Sequence, residues 1–202
     1  MKKLLLIIII IFTSSEIKSQ TDEHSVEKLK EGDIAPNWSL KSESGDFEFL
    51  QNWTVKKNRQ LRKPSIQPDR YIVLFTFFAT WCPPCVEQLQ PLEEVFQKYK
   101  NEKIKFFIID VTEHTRKNME KDWAINAPET KSLLADNKIN IPYLEDEWNA
   151  GNKYGVNGIP TIFIIDKFGT IQNIRVGFTK EEEDLVGELS EIIDRLLLEQ
   201  SQ

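Results

Sequence analysis

The sequence predicts an α/β fold, a central mixed β-sheet flanked by helices. Three stretches predict it. Tyr71 to Phe78 is almost entirely β-branched or aromatic, the composition of a strand covered on both faces. An amphipathic helical pattern and a second apolar run, Ile104 to Asp110, follow it, giving the strand, helix, strand order of a βαβ unit. Near the C-terminus, Thr161 to Asp166, a Lys167-Phe168-Gly169 turn and Thr170 to Val176 read as an antiparallel hairpin, which makes the sheet mixed.

Taken in order, the chain opens with Met1-Lys2-Lys3, the apolar run Leu4 to Phe12 and Thr13-Ser14-Ser15, the layout of a secretory signal peptide over residues 1 to 19. The apolar run is short of the roughly 20 residues a membrane span needs. Cleavage is expected after Ser19, with Ser15 as the alternative; an uncleaved segment would act as a membrane anchor. No cysteine lies near the cut to carry a lipid. Residues 20 to 32 are polar and read as a linker. Residues 33 to 202 are expected to form one domain, and the 202-residue chain requires no second one.

Within that domain, Asp33 to Leu40 and Gly45 to Leu50 suggest an N-terminal β-hairpin at one sheet edge, with Phe47 and Phe49 alternating around Glu48. Residues 51 to 70 mix Lys, Arg, Asn, Pro64 and Pro68 and read as a surface excursion. After the central strand, Cys85, Leu89, Leu92, Phe96 and Tyr99 recur at helical spacing, with Val95 widening the stripe. Pro91 should kink that helix, because its nitrogen cannot donate to the Glu87 carbonyl. A helical insert is expected from about Thr115 to Asp136, interrupted at Pro128, with Met119 and Trp123 as packing residues. Ile139 to Leu144 reads as extended and Trp148 to Tyr154 as a short helix. Thr179-Lys180-Glu181-Glu182 has the form of a capping box opening a last helix through Leu185, Leu189, Ile192, Ile193, Leu196 and Leu197.

Composition narrows the function. The formal charge is −6, and removing residues 1 to 19 takes away three lysines and one glutamate, which leaves −8. An acidic domain without a basic cluster has no footprint for nucleic acid. The best basic run, Lys56-Lys57-Asn58-Arg59 through Arg62-Lys63, reads as a solvated loop.

The chemistry sits in Trp81-Cys82-Pro83-Pro84-Cys85, which holds the only two cysteines in the chain. Two thiols three positions apart can close a small disulfide ring. Placing the first where a strand gives way to a helix aims helix N–H groups and the positive dipole end at its sulfur, which favours the reactive thiolate. In thiol-disulfide exchange Cys82 would attack a disulfide sulfur and Cys85 would displace the resulting mixed disulfide. An exported chain with no other cysteine keeps this pair for use rather than as a staple. A zinc site would need four ligands, and His24 and His114 are not in ligand-type spacing. Covalent haem attachment would need His after the second cysteine, where Val86 stands. Neither a metal nor another cofactor is expected. Reaction with peroxide has no support beyond the thiol pair.

Gly158-Ile159-Pro160-Thr161 opens a strand, and its proline either starts an edge strand or forms a cis peptide that exposes the preceding N–H and C=O. The order strand, CxxC, helix, strand, helix, proline, strand, strand, helix resembles the thioredoxin superfamily over about residues 33 to 200. The signal peptide, Asp33-Ile34-Ala35-Pro36, Phe78 to Cys85 and Ile141-Pro142-Tyr143-Leu144 are similar to its TlpA/ResA-type branch. The resemblance implies that Pro160 is cis and packs beside Cys82 and Cys85, and that Ile159 offers its backbone to an extended substrate segment. It also tilts Trp81 toward a substrate-face aromatic. It implies an exported, periplasmic thiol-disulfide oxidoreductase acting on disulfide-bearing proteins, usually as a reductant and in some cases in cytochrome c maturation. A membrane protein would supply its electrons. A disulfide oxidase or isomerase, and a redox-inert peptide-binding domain, are the alternatives.

The chain departs from that family in three places. Thr76 stands six residues before the first cysteine, where thioredoxins place a buried Asp. Gln88 stands where ResA-like proteins carry a Glu, and Pro91 comes one residue later than the usual helix proline. No catalytic acid is therefore carried over. Pro83 and Pro84 lack N–H groups, so only the Cys85 amide is expected to donate to the Cys82 sulfur. Cys82 should then be less acidic than in a CxxC whose middle residues have amides, which suits a reductant.

Overall fold

The computed structural model describes residues 28 to 200 except 118, 120, 121 and 181 to 183, and leaves out the side chains of Asp122, Trp123 and Gln200. The expected signal peptide, residues 20 to 27 of the expected linker, the Trp123 side chain, and Glu181 and Glu182 of the expected capping box lie outside the described residues.

The strands are β1 (Ser39–Ser42), β2 (Phe47–Phe49), β3 (Ile72–Phe78), β4 (Ile104–Asp110), β5 (Tyr143–Glu145), β6 (Thr161–Ile165) and β7 (Ile171–Val176). Among the described residues they form one mixed sheet in the order β2-β1-β5-β4-β3-β6-β7. The helices are α1 (Pro83–Tyr99), α2 (Thr112–Arg116), α3 (Asp122–Ile125), α4 (Thr130–Asp136), α5 (Asn149–Lys153) and α6 (Leu185–Gln200). This is a thioredoxin-like fold with an N-terminal hairpin on the β2 edge and the helical insert before the Pro160 strand.

Every residue of β3 and of β6 is buried. β3 pairs in parallel with β4 from Ile72 opposite Ile104 to Phe78 opposite Asp110, and antiparallel with β6. Alternation sends its side chains to two different layers. Phe75 and Phe77 join Trp38, Tyr154 and Phe163 in an aromatic cluster, with Phe75 stacked on Phe163 at 5.4 Å and edge-on to Tyr154 at 5.3 Å. The Tyr154 hydroxyl donates to the Pro36 carbonyl at 2.7 Å and so ties the segment before β1 to this layer. On the other face lie α1 and α6, which are pinned together where the Tyr99 hydroxyl donates to Asp194 Oδ1 at 2.7 Å.

Several boundaries differ from the sequence reading. The first strand begins at Ser39 rather than Asp33, because Ile34 instead bridges Thr170 beside β7. The insert is three short helices starting at Thr112, and the extended segment narrows to β5, which enters the sheet between β1 and β4. Residues 28 to 32 dock on the domain: the Gly32 N–H donates to the Ile171 carbonyl at 2.8 Å, and Leu29 packs on the core. α6 begins at Leu185, where Asp184 Oδ1 accepts from the Gly187 N–H at 2.9 Å. α1 continues as a helix through Pro91. Among the described residues no helix is long and apolar enough to cross a membrane.

Phe75 touches every other ring of this cluster. Replacing it with alanine should cost about 3–5 kcal/mol through lost burial and an unfilled cavity. In urea unfolding the midpoint of Phe75→Ala should fall with an unchanged slope; a loss under about 1 kcal/mol would mean the cluster is not the centre of the core.

Candidate active site

The site is built where β3 runs out. Ala79-Thr80-Trp81 carries the chain from β3 to α1, and Cys82 caps the helix in an extended conformation (φ −99°, ψ 102°) with Pro83 and Pro84 in its first turn. Cys82 and Cys85 are joined by a disulfide with an S–S distance of 2.09 Å. The Cys85 N–H points at Cys82 Sγ from 3.3 Å, while the Val86 N–H goes to the Cys82 carbonyl at 3.1 Å. The prolines thus leave Cys85 as the first-turn amide that reaches the sulfur. Both prolines are exposed and both cysteines buried, with Cys82 at 4% exposure and Cys85 at 1%, so the first sulfur is the nearer to solvent.

From the other side comes the turn before β6. The Ile159-Pro160 peptide is cis. It sets the Ile159 carbonyl oxygen 3.7 Å from Cys82 Sγ. Pro160 is buried and Ile159 half-buried, with the turn closed by the Thr161 hydroxyl donating to the Gly158 carbonyl at 2.7 Å. Cys82, Cys85 and the Ile159 carbonyl meet in space, with Pro160 next in the chain.

A shelf of threonines beneath the loop is the part the sequence reading missed. The Thr80 N–H donates to Thr112 Oγ1 at 3.0 Å, and the Trp81 indole N–H donates to Thr115 Oγ1 at 2.8 Å. Each hydroxyl sends its own proton onward, Thr112 to Asp110 and Thr115 to the Val111 carbonyl. Asp110, at the end of β4, also accepts from the Thr112 N–H at 2.9 Å and from the Thr130 hydroxyl at 2.6 Å. The one available signal was the Asp110-x-Thr112 spacing after a strand, the pattern of a side chain closing its own turn. Trp81 is half-buried and packs on the core edge, with its indole held by α2. His114, on the same helix, stacks on Trp148 with rings 6.0 Å apart. Among the described residues no group of three or more His, Cys, Asp or Glu is placed to hold a metal ion.

Behind the disulfide, the two residues that depart from the family pattern face each other. The Thr76 hydroxyl donates to Gln88 Oε1 at 3.0 Å, and both residues are 1% exposed. Glu87, one position away, is exposed and points elsewhere.

The match with a family model decides the affiliation: residues 32–174 fit that of the AhpC/TSA family. The chain belongs to the AhpC/TSA family. This AhpC/TSA chain is 29% identical over 180 residues to the thioredoxin-like protein YneN of Bacillus subtilis, covering 89% of this chain and 91% of the relative. It is 28% identical over 158 residues to the thiol-disulfide oxidoreductase ResA of Bacillus thuringiensis subsp. konkukian, covering 77% and 76%. Among solved structures, its fold is similar to a thiol:disulfide interchange protein of the thioredoxin family from Chlorobium tepidum TLS (TM-score 0.54, 21% identity, 84% of this chain and 99% of the other). It is likewise similar to StoA from Bacillus subtilis (TM-score 0.53, 16% identity, 79% and 97%). With this fold and this cysteine pair, the AhpC/TSA chain is a thiol-disulfide oxidoreductase, thioredoxin-like in architecture.

Burial raises the Asp110 carboxyl above its ordinary value of 3.8, against the pull of the Thr112 and Thr130 hydrogen bonds. The folded protein therefore holds that proton more tightly than the unfolded chain does. The stability this group contributes is present below the unfolded value, falls as pH rises toward the folded value, and is level above it. Asp110→Asn cannot ionise, so the stability of wild type relative to Asp110→Asn should decline as pH is raised from about 4 toward neutrality. Urea melts of both proteins at several pH values check this; a difference constant with pH contradicts it.

Proposed function

We propose that the protein is an extracytoplasmic disulfide reductase whose working dithiol is Cys82 and Cys85. The observation that carries this reading is the cysteine pair itself, at a helix N-terminus and within 3.7 Å of the carbonyl of Ile159. In the reduced protein Cys82 thiolate attacks one sulfur of a substrate cystine. A Cys82–substrate disulfide forms and the other substrate sulfur leaves as a thiolate. Cys85 then loses its proton and attacks Cys82 Sγ, the substrate departs with both sulfurs reduced, and the Cys82–Cys85 bond closes. Two electrons pass from the pair to the substrate.

Trp81, Ile159 and Pro160 form the substrate-binding face. An extended segment of the substrate lies along the Ile159 backbone, strand to strand, which presents its cystine to Cys82. The substrates are disulfides of exported proteins, cytochrome c maturation included. A membrane electron-donor protein restores the dithiol. On this reading residues 1 to 19 are the export signal, a linker runs from residue 20 to the point near residue 28 where the chain docks on the domain, and residues 33 to 202 are the catalytic domain, outside the cytoplasm. The reducing direction is supported by the first turn of α1, where two prolines leave the Cys85 amide to face the Cys82 sulfur. Fewer donors stabilise the thiolate less, and a less stabilised reduced form makes a weaker oxidant.

Reduction of insulin by the dithiol protein should be readily measured and should vanish in Cys82→Ser. Cys85→Ser should accumulate a mixed disulfide with its substrate through Cys82. Activity that survives Cys82→Ser would refute the role of the pair. The Cys82 thiol should titrate above about 5; a lower value, in the range of strong oxidants, would contradict the reducing direction.

A further inference from the structure

α1 carries Gln88 one turn beyond Cys85 on the same buried face, since residues three apart on a helix are neighbours. β3 brings Thr76 against it, and the Thr76 hydroxyl holds Gln88 Oε1. The other end of the amide, Nε2, is buried and has no hydrogen-bond partner among the described residues. A buried donor left unpaired is costly, so a fold that keeps one gains if an acceptor arises at another stage of the cycle. The disulfide sulfur of Cys85 is a poor acceptor, whereas a Cys85 thiolate would be a strong, charged one. The buried carboxylates among the described residues are engaged elsewhere. Glu93 accepts from Gln97 and Asn140, Asp110 from Thr112 and Thr130, and Asp146 from the first amides of α5.

We propose that Gln88 is a third catalytic residue, whose side-chain N–H donates to the Cys85 sulfur when that sulfur is a thiolate, and that Thr76 positions the amide for it. The proposal rests on the exchange chemistry above and concerns its second step. In the mixed disulfide, the Cys85 thiol gives its proton to the substrate thiolate released in the first step. The Cys85 thiolate, stabilised by the amide, attacks Cys82 Sγ. The bond from Cys82 to the substrate breaks, and the substrate sulfur leaves with the electron pair. Gln88 takes no proton at any point. It acts by its dipole, where a carboxylate in its place would act as a base and would oppose the negative charge on sulfur.

The chain has two cysteines, so a Cys82→Ser protein has Cys85 as its only thiol and the ultraviolet absorbance of its thiolate reads that residue alone. In this background Gln88→Leu should raise the Cys85 pKa, lowering the thiolate fraction at a fixed pH by about tenfold, the worth of one hydrogen bond to a charged group. Thr76→Val should raise it by less. With Cys85 and Cys82 both present, Gln88→Leu should slow resolution of the mixed disulfide by a similar factor and leave the first attack unchanged. An unmoved titration in a Gln88→Leu protein with native circular dichroism would overturn the proposal. So would a lowered Cys85 pKa, which would mean that the amide turns its carbonyl to the sulfur. If Gln88→Leu does not fold, Thr76→Val carries the same test, and an unmoved titration there overturns the proposal in the same way. Either result with insulin reduction intact strikes the role of Gln88 alone; wild type that fails to reduce insulin strikes the reductase reading itself.

Discussion

A strand with no solvent face must be covered along its whole length, and the place where that cover ends is fixed by its neighbours. β3 is such a strand. Its parallel pairing with β4 runs in step to Phe78 and Asp110, and its antiparallel pairing with β6 runs to Phe77 and Thr161. Both partners end at the same level, so the loop into α1, the turn at Pro160 and the buried Asp110 gather at one end of the sheet. The sulfurs sit there because β3 stops there. Burial of β3 thus positions the chemistry as well as holding the core.

The electrostatics around the pair are muted. Pro83 and Pro84 give no amides, the Thr76 and Gln88 pair is neutral, and threonine hydroxyls support the loop. In a low-dielectric pocket each missing donor or charge matters more than it would in water. Cys82 Sγ accepts from the Cys85 backbone, and by our proposal Gln88 serves the Cys85 sulfur.

The parts legible in the sequence were those whose physics is local. An unbroken β-branched and aromatic run gave β3, a stripe at helical spacing gave α1, and a Gly turn between apolar runs gave β6 and β7. The cysteine spacing named the reacting atoms. The insert was blurred because α2, α3 and α4 are too short to show a period, and their ends are set by tertiary bonds such as Thr130 to Asp110. The threonine shelf was invisible for the same reason, since Thr112 and Thr115 meet Thr80 and Trp81 across 32 and 34 residues. Thr76 and Gln88 each stand out in the sequence as departures, but nothing in one dimension says that two departures twelve residues apart bond to one another.

The midpoint potential of the Cys82/Cys85 couple, measured by equilibration with glutathione or dithiothreitol, bears most directly on the claim that this pair works as a reductant. A value near that of thioredoxin, about −270 mV, is expected; a value near −120 mV, where strong oxidants lie, would contradict it.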